Sequence, residues 1–102
     1  MHRRAFERIT VKIPVKFYFG DNNYSGTVKN LSKNGMFIDS NNLCSPFDSE
    51  FNVIFPVHDE VLNIPVRICR ITKTEGCYDG IGVALLNPSQ KYLEFVGGLR
   101  SA

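Results

Sequence analysis

Residues 9–19 read Ile9-Thr10-Val11-Lys12-Ile13-Pro14-Val15-Lys16-Phe17-Tyr18-Phe19. Every odd position is apolar, while Thr10, Lys12, Pro14, Lys16 and Tyr18 hold the even ones, the period-two pattern of a strand with one face in a core. Pro14 has no N–H for a ladder, so this strand is expected at an edge or with a bulge near its start. The same parity makes Phe17 and Phe19 core residues rather than surface ones.

Past the turn formers Gly20-Asp21-Asn22-Asn23, a second strand is expected over residues 24–31, with Tyr24, Gly26 and Val28 on one parity. Its alternation slips at Asn30 and Leu31. Ser32-Lys33-Asn34-Gly35 then makes a tight connection, with a positive φ expected at Asn34 or Gly35, before a short third strand, Met36-Phe37-Ile38. Residues 39–49, with Asn41, Asn42, Ser45 and Pro46 as breakers, read as a loop. Phe51, Val53, Phe55 and Val57 mark a fourth strand and Leu62, Ile64, Val66 and Ile68 a fifth, joined through His58-Asp59-Glu60. Glu75-Gly76 closes another hairpin. Ile81, Val83 and Leu85 form a sixth strand whose other parity, Gly80, Gly82 and Ala84, is almost bare, so either something lies close against it or the sheet bends tightly there.

The period then changes. Asn87 is expected as an N-cap with Pro88 at N1 and Gln90 at N3, and Tyr92, Leu93, Phe95, Val96 and Leu99 follow at helical spacing until Gly97-Gly98 weakens it. Strands joined by hairpins with no helix between them predict an all-β fold, a six-stranded antiparallel β-barrel with a short C-terminal α-helix, because closure removes exposed sheet edges. With 102 residues, 43% of them apolar, residues 1–102 make one domain.

The formal charge of +2 is too near balance for a binder of bulk polyanions. Its distribution is uneven: Arg3, Arg4, Arg8, Lys12 and Lys16 stand against Glu7 alone in residues 1–20, leaving a negative remainder. No apolar run is long enough to cross a bilayer, and the basic start is not followed by the apolar core of a signal peptide, so a cytoplasmic protein with no membrane insertion is expected. Cys44, Cys69 and Cys77 lack zinc-ribbon spacing and read as reduced, mostly buried thiols. His2 and His58 are the two histidines, too few for a metal site or a His-based triad. With no Gly-rich phosphate loop, no nucleophile–base pair and no carboxylate cluster, neither an enzyme nor a resident cofactor is expected. Asp39, Asp48 and Glu50 read as a solvated face.

Two features exceed what a barrel requires. Arg3-Arg4-Ala5-Phe6-Glu7-Arg8 precedes the first strand and offers guanidinium groups suited to bidentate contact with phosphate or a guanine edge, or to stacking on a base; a solvated basic leader is the plainer alternative. Asn30-Leu31-Ser32-Lys33-Asn34-Gly35 lies where the alternation breaks, with Asn30 and Ser32 two apart and Gly35 permitting close backbone approach; an ordinary strand connection is the plainer alternative here. Asn30-Leu31-Ser32 is also a glycosylation sequon, which carries weight only in a secreted protein.

In this order, R-R-x-x-x-R at Arg3, Arg4 and Arg8 and N-x-S-x-x-G at Asn30, Ser32 and Gly35 resemble the PilZ family of bacterial cyclic di-GMP receptors, a resemblance that extends over nearly the whole chain. Many members carry Asp where this chain has Asn30. The resemblance implies a ligand of two guanosines and two phosphates, contacted by Arg3, Arg4 and Arg8 and read by Asn30 and Ser32, with Gly35 leaving room. It also implies a protein effector downstream. Residues 1–8 hold one large apolar side chain, Phe6, so a flexible segment that becomes ordered on the ligand is expected. Two other readings remain. One is a PilZ-like interaction adaptor that binds no nucleotide; the other is a small-barrel nucleic-acid module, disfavoured because Phe17 and Phe19 share the core parity.

Overall fold

Alternating apolar residues build six strands that roll up on their apolar faces. The computed structural model describes residues 8–19, 22–43, 50–75 and 77–101, and Arg3, Arg4, Cys44 and residues 45–49 lie outside them. The elements are β1 (Ile9–Phe19), β2 (Asn22–Leu31), β3 (Gly35–Leu43), β4 (Glu50–Val57), β5 (Glu60–Thr74), β6 (Cys77–Leu85) and α1 (Gln90–Ser101). They close an antiparallel barrel in the order β1-β2-β3-β6-β5-β4.

Val15, Phe17, Val28, Met36, Ile38, Val53, Phe55, Val66, Ile81 and Val83 fill the interior. Phe17 is fully buried and stacks on Tyr24 with ring centroids 5.6 Å apart; the Phe19 side chain lies outside the described residues. Burying a side chain of this size contributes about 1.5–3 kcal/mol, so the inward parity dominates the choice of face. Tyr92 and Val96 of α1 cap the core, with Phe55 edge-on to both Tyr92 and Phe95.

Three register shifts explain where simple alternation fails. Between β2 and β3, Val28 pairs with Ile38 but Asn30 pairs with Phe37, so Lys29 is an extra residue that turns Asn30 outward and Leu31 into the core. The slip in the sequence at Asn30 and Leu31 is this bulge. A second shift, between Thr10 and Ile13 of β1, is the bulge expected near Pro14. Pro14 pairs with Thr27 on the β2 side, while β1 meets β4 only at Lys16–Ile54 and Phe17–Val53, so its missing N–H lies past the end of that seam and no edge strand is needed. A third shift, between Ile68 and Arg70 of β5, leaves Cys69 outside the ladder and exposed, a correction to the expectation of buried thiols.

Several element boundaries differ from the sequence expectation. The third strand runs on through residues read as a loop, to Leu43, because Ser40 is buried with its hydroxyl donating to the Ser25 carbonyl at 2.7 Å; a satisfied hydroxyl can take a core position. The fifth strand extends past the bulge at Cys69 to Thr74, with a further register shift between Thr72 and Lys73 before it pairs Thr74 with Cys77. The helix is capped by Ser89 rather than Asn87: the Tyr92 N–H donates to Ser89 Oγ at 3.2 Å and the Leu93 N–H to the Ser89 carbonyl at 3.0 Å. Nor does Gly97-Gly98 weaken it to an end, since buried Val96 and core-packed Leu99 hold the turns on either side.

Candidate ligand-binding site

The two bulges converge on the start of β1 and the end of β2. Ile9 pairs with Leu31 and Thr10 with Asn30, which delivers the residue before the strand, Arg8, to the side of the Asn30 amide. Arg8 Nη1 donates to Asn30 Oδ1 at 2.6 Å. A member of each sequence motif, 22 residues apart, is therefore joined directly, and both side chains are at least partly open to solvent. The guanidinium keeps its other N–H donors for an acceptor on the outer face.

Below Asn30 the chain turns through Ser32, Lys33, Asn34 and Gly35. The Ser32 N–H donates to the Gly35 carbonyl at 2.9 Å, the Ser32 hydroxyl to Asn34 Oδ1 at 3.3 Å, and the Leu85 N–H to the Asn34 carbonyl at 2.9 Å. The turn is thereby tied to the end of β6. Neither Asn34 nor Gly35 takes a positive φ, contrary to expectation; among the described non-glycine residues His58 and Glu75 do. Gly35 answers to space instead. It is buried opposite Ala84, and a Cβ there would stand 3.1 Å from the Val83 carbonyl oxygen and 3.9 Å from Ser32 Oγ.

Ser32 is 4% exposed, so its hydroxyl lies under the surface that Arg8 and Asn30 present. Its carbonyl accepts from Tyr92 Oη of α1 at 2.7 Å. Burial pushes the Tyr92 hydroxyl above the ordinary tyrosine range, and the positive charge of Arg8 opposes that rise in part. Arg8, Asn30, Ser32, Gly35 and Tyr92 thus make one neighbourhood, with charge on the outside and a neutral, hydrogen-bonded floor. Tyr92 was not among the residues the sequence singled out. It stands 60 residues from Ser32, and its helical spacing marks it only as core.

Outward of the turn, Phe37 is half-buried on the outer face of β3 and lies against the bare parity of β6. A Cβ on Gly80 would come within 2.5 Å of Phe37 Cζ, so the glycines make room for this ring. That settles what lies close to Gly80 and Gly82. Among the described residues no three His, Cys, Asp or Glu side chains are grouped to hold a metal ion, and no helix is long and apolar enough to cross a membrane.

The family model for the PilZ domain matches residues 2–97. No curated protein matches the chain. Among solved structures, the Bacillus subtilis inhibitor of motility MotI/DgrA is similar at 13% identity and a TM-score of 0.78, over 99% of this chain and 51% of that one, so this chain spans about half of its length. The PilZ domain of YcgR from Escherichia coli, solved with c-di-GMP, aligns at 15% identity and a TM-score of 0.75, over 98% of this chain and 93% of that one. The PilZ domain of CeSA from a cellulose-synthesizing bacterium aligns at 20% identity and a TM-score of 0.68, over 92% and 98%. At these identities the structural likeness is one of fold. With the family model accounting for residues 2–97 and the barrel closing in agreement with those structures, the chain belongs to the PilZ domain family.

Proposed function

We propose that this domain is a bacterial receptor for cyclic di-GMP, that it does no chemistry on the ligand, and that the signal is ordering of the leader carrying Arg3, Arg4 and Arg8 against the barrel face. The observation that carries this reading is the 2.6 Å bond from Arg8 to Asn30, which puts one residue of each motif side by side on the outer surface. Two relatives in fold, from Escherichia coli and Borreliella burgdorferi, were solved with c-di-GMP, which supports the choice of ligand.

A dianion with two guanines is matched by what the site offers. Arg8 supplies paired N–H donors for a phosphate or for guanine O6 and N7, and Arg3 and Arg4 extend that supply along the leader. Asn30 and the Ser32 turn supply neutral polar groups for a base edge, and Gly35 keeps the turn flush against β6. In this role Arg8 exchanges part of its bond to Asn30 for the ligand, so the leader and the barrel become joined through the bound nucleotide. The sensing event takes place in the cytoplasm, and an effector protein reads the ordered leader.

Calorimetric titration with cyclic di-GMP tests the reading, with GTP and a short single-stranded oligonucleotide as controls. Binding of the cyclic dinucleotide alone, at micromolar affinity or better, is expected. Arg4→Ala and Arg8→Ala should each cost about 1.5–3 kcal/mol of affinity, while Lys33→Ala should change little. No heat from the dinucleotide at tens of micromolar protein, or oligonucleotide binding in its place, would sink it.

A further inference from the structure

The outer face does not stop at Asn30. Thr10 pairs with Asn30, Asn30 with Phe37, Phe37 with Gly82, and Gly82 with Arg70. Partners in a ladder share a face, so these residues form one row across β1, β2, β3, β6 and β5. At strand spacings of about 4.8 Å, the Arg70 backbone lies about 14 Å along the row from Asn30, a span that a ligand with two purines and an extended arginine can bridge.

The middle of the row is built to present a ring. Phe37 lies between fully buried Met36 and Ile38 and therefore faces out, yet the bare strip of β6 lets it lie close to the sheet instead of standing in water. On the other flank of Gly82, a Cβ would meet Arg70 Cβ at 3.7 Å and Arg70 Nε at 3.9 Å, and Phe37 Cδ1 at 3.9 Å. One glycine thus separates an aromatic ring from a guanidinium. Arg70 is exposed and has no carboxylate partner among the described residues, whereas Arg67 on the same strand is neutralised by Glu50 at 2.8 Å. A half-exposed ring beside an unneutralised guanidinium suits a planar heterocycle that carries an anionic group.

We infer that Phe37 and Arg70 form a second part of the ligand surface: one guanine lies against the Phe37 ring, and the Arg70 guanidinium takes a phosphate oxygen or stacks over the same base. This assignment rests on the cyclic di-GMP reading above. It divides the work of recognition: Arg8 and Asn30 hold the ligand at one end of the row, and Phe37 and Arg70 hold it at the other.

The sequence contains no tryptophan, so Phe37→Trp introduces a lone tryptophan, excited selectively at the red edge where tyrosine no longer absorbs, at the proposed stacking position. Saturating cyclic di-GMP should quench its emission, and Arg70→Ala should weaken binding about tenfold, with a smaller effect at high salt. Arg67→Ala should leave affinity unchanged. Phe37→Leu keeps the bulk over the glycines and should also lose about tenfold in affinity, which covers the case in which the tryptophan variant does not fold. Unaltered affinity in Phe37→Leu and Arg70→Ala, with the parent protein binding normally, overturns this inference and leaves the receptor reading intact. Failure of the parent protein to bind overturns both.

Discussion

The hydroxyl of Tyr92, in the first turn of the C-terminal helix, donates to the main-chain carbonyl of Ser32, in the motif turn, at 2.7 Å. Tyr92 is fully buried and edge-on to Phe55, so the bond is shielded from water. It fastens α1 to the backbone on which Asn30 and Gly35 are carried, and the ion pair of Lys91 with Glu60 at 2.6 Å pins the same helix to the β4–β5 hairpin. That surface pair contributes little by itself, about 0–1 kcal/mol.

Tyr92→Phe keeps the ring and removes the donor, leaving the Ser32 carbonyl unsatisfied inside the fold. A loss of about 1–3 kcal/mol in stability is expected from urea unfolding. A midpoint indistinguishable from that of the parent protein would mean that the bond contributes nothing net.

Alkaline pH should act through the same hydroxyl. Burial raises the folded-state pKa of Tyr92 above its ordinary value of 10.0, so the neutral form is favoured in the fold. The associated stability is complete below pH 10.0 and falls as pH rises above it, because the unfolded chain ionises first. Unfolding midpoints measured from pH 9 to 11 should therefore decline more steeply for the parent protein than for Tyr92→Phe. Parallel declines would refute the assignment.

Asn30→Asp places a carboxylate beside Arg8 Nη1, where a neutral amide oxygen now accepts at 2.6 Å. A charged acceptor reads the guanine N–H edge with charge assistance, and affinity for cyclic di-GMP should improve by about 1 kcal/mol. Calorimetry of the two proteins in the same buffer decides it; weaker binding by the aspartate variant would show that Asn30 does not face the base.

Gly35→Ala would press a methyl group to within 3.1 Å of the Val83 carbonyl oxygen. The Val83 carbonyl must give by a few tenths of an ångström, at an expected cost of about 1–3 kcal/mol, visible as a lower midpoint in chemical unfolding. Gly98→Ala is the control, since nothing lies within 4 Å of a Cβ there and helix propensity improves.

Much of the barrel can be read from parity alone. The interior positions of β1, β4 and β6 follow directly from alternation because those strands carry one apolar residue in every two across their inward runs. Even the bulge at Lys29 left a trace, as the slip at Asn30 and Leu31. The far part of β3 left none: Ser40, Asn41 and Asn42 look like loop chemistry, and only the hydroxyl bond from Ser40 to Ser25 makes the buried position tolerable. The capping residue was displaced for a similar reason, since Asn87 and Ser89 are equivalent by residue type and the choice depends on where Tyr92 must enter the core. Arg8 and Asn30 were legible as a pair only through the resemblance of their two motifs to the PilZ family, since each motif alone reads equally well as a basic leader or an ordinary strand connection. Phe37 was not, because its covering surface is defined by absent side chains at Gly80 and Gly82, which lie far from it in sequence.

The narrow seam at Lys16–Ile54 and Phe17–Val53 gives the barrel a preferred place to come apart. On its other side β1 is laced to β2 from Ile9–Leu31 to Phe19–Asn22, so the two strands travel together as a ribbon. A tug on the leader therefore peels that ribbon away from β4 long before it shears β1 from β2, and the tension passes from β2 into the turn at Ser32. Amide exchange along β1 should thus be faster on the side facing β4, and ligand that clasps the leader should slow it.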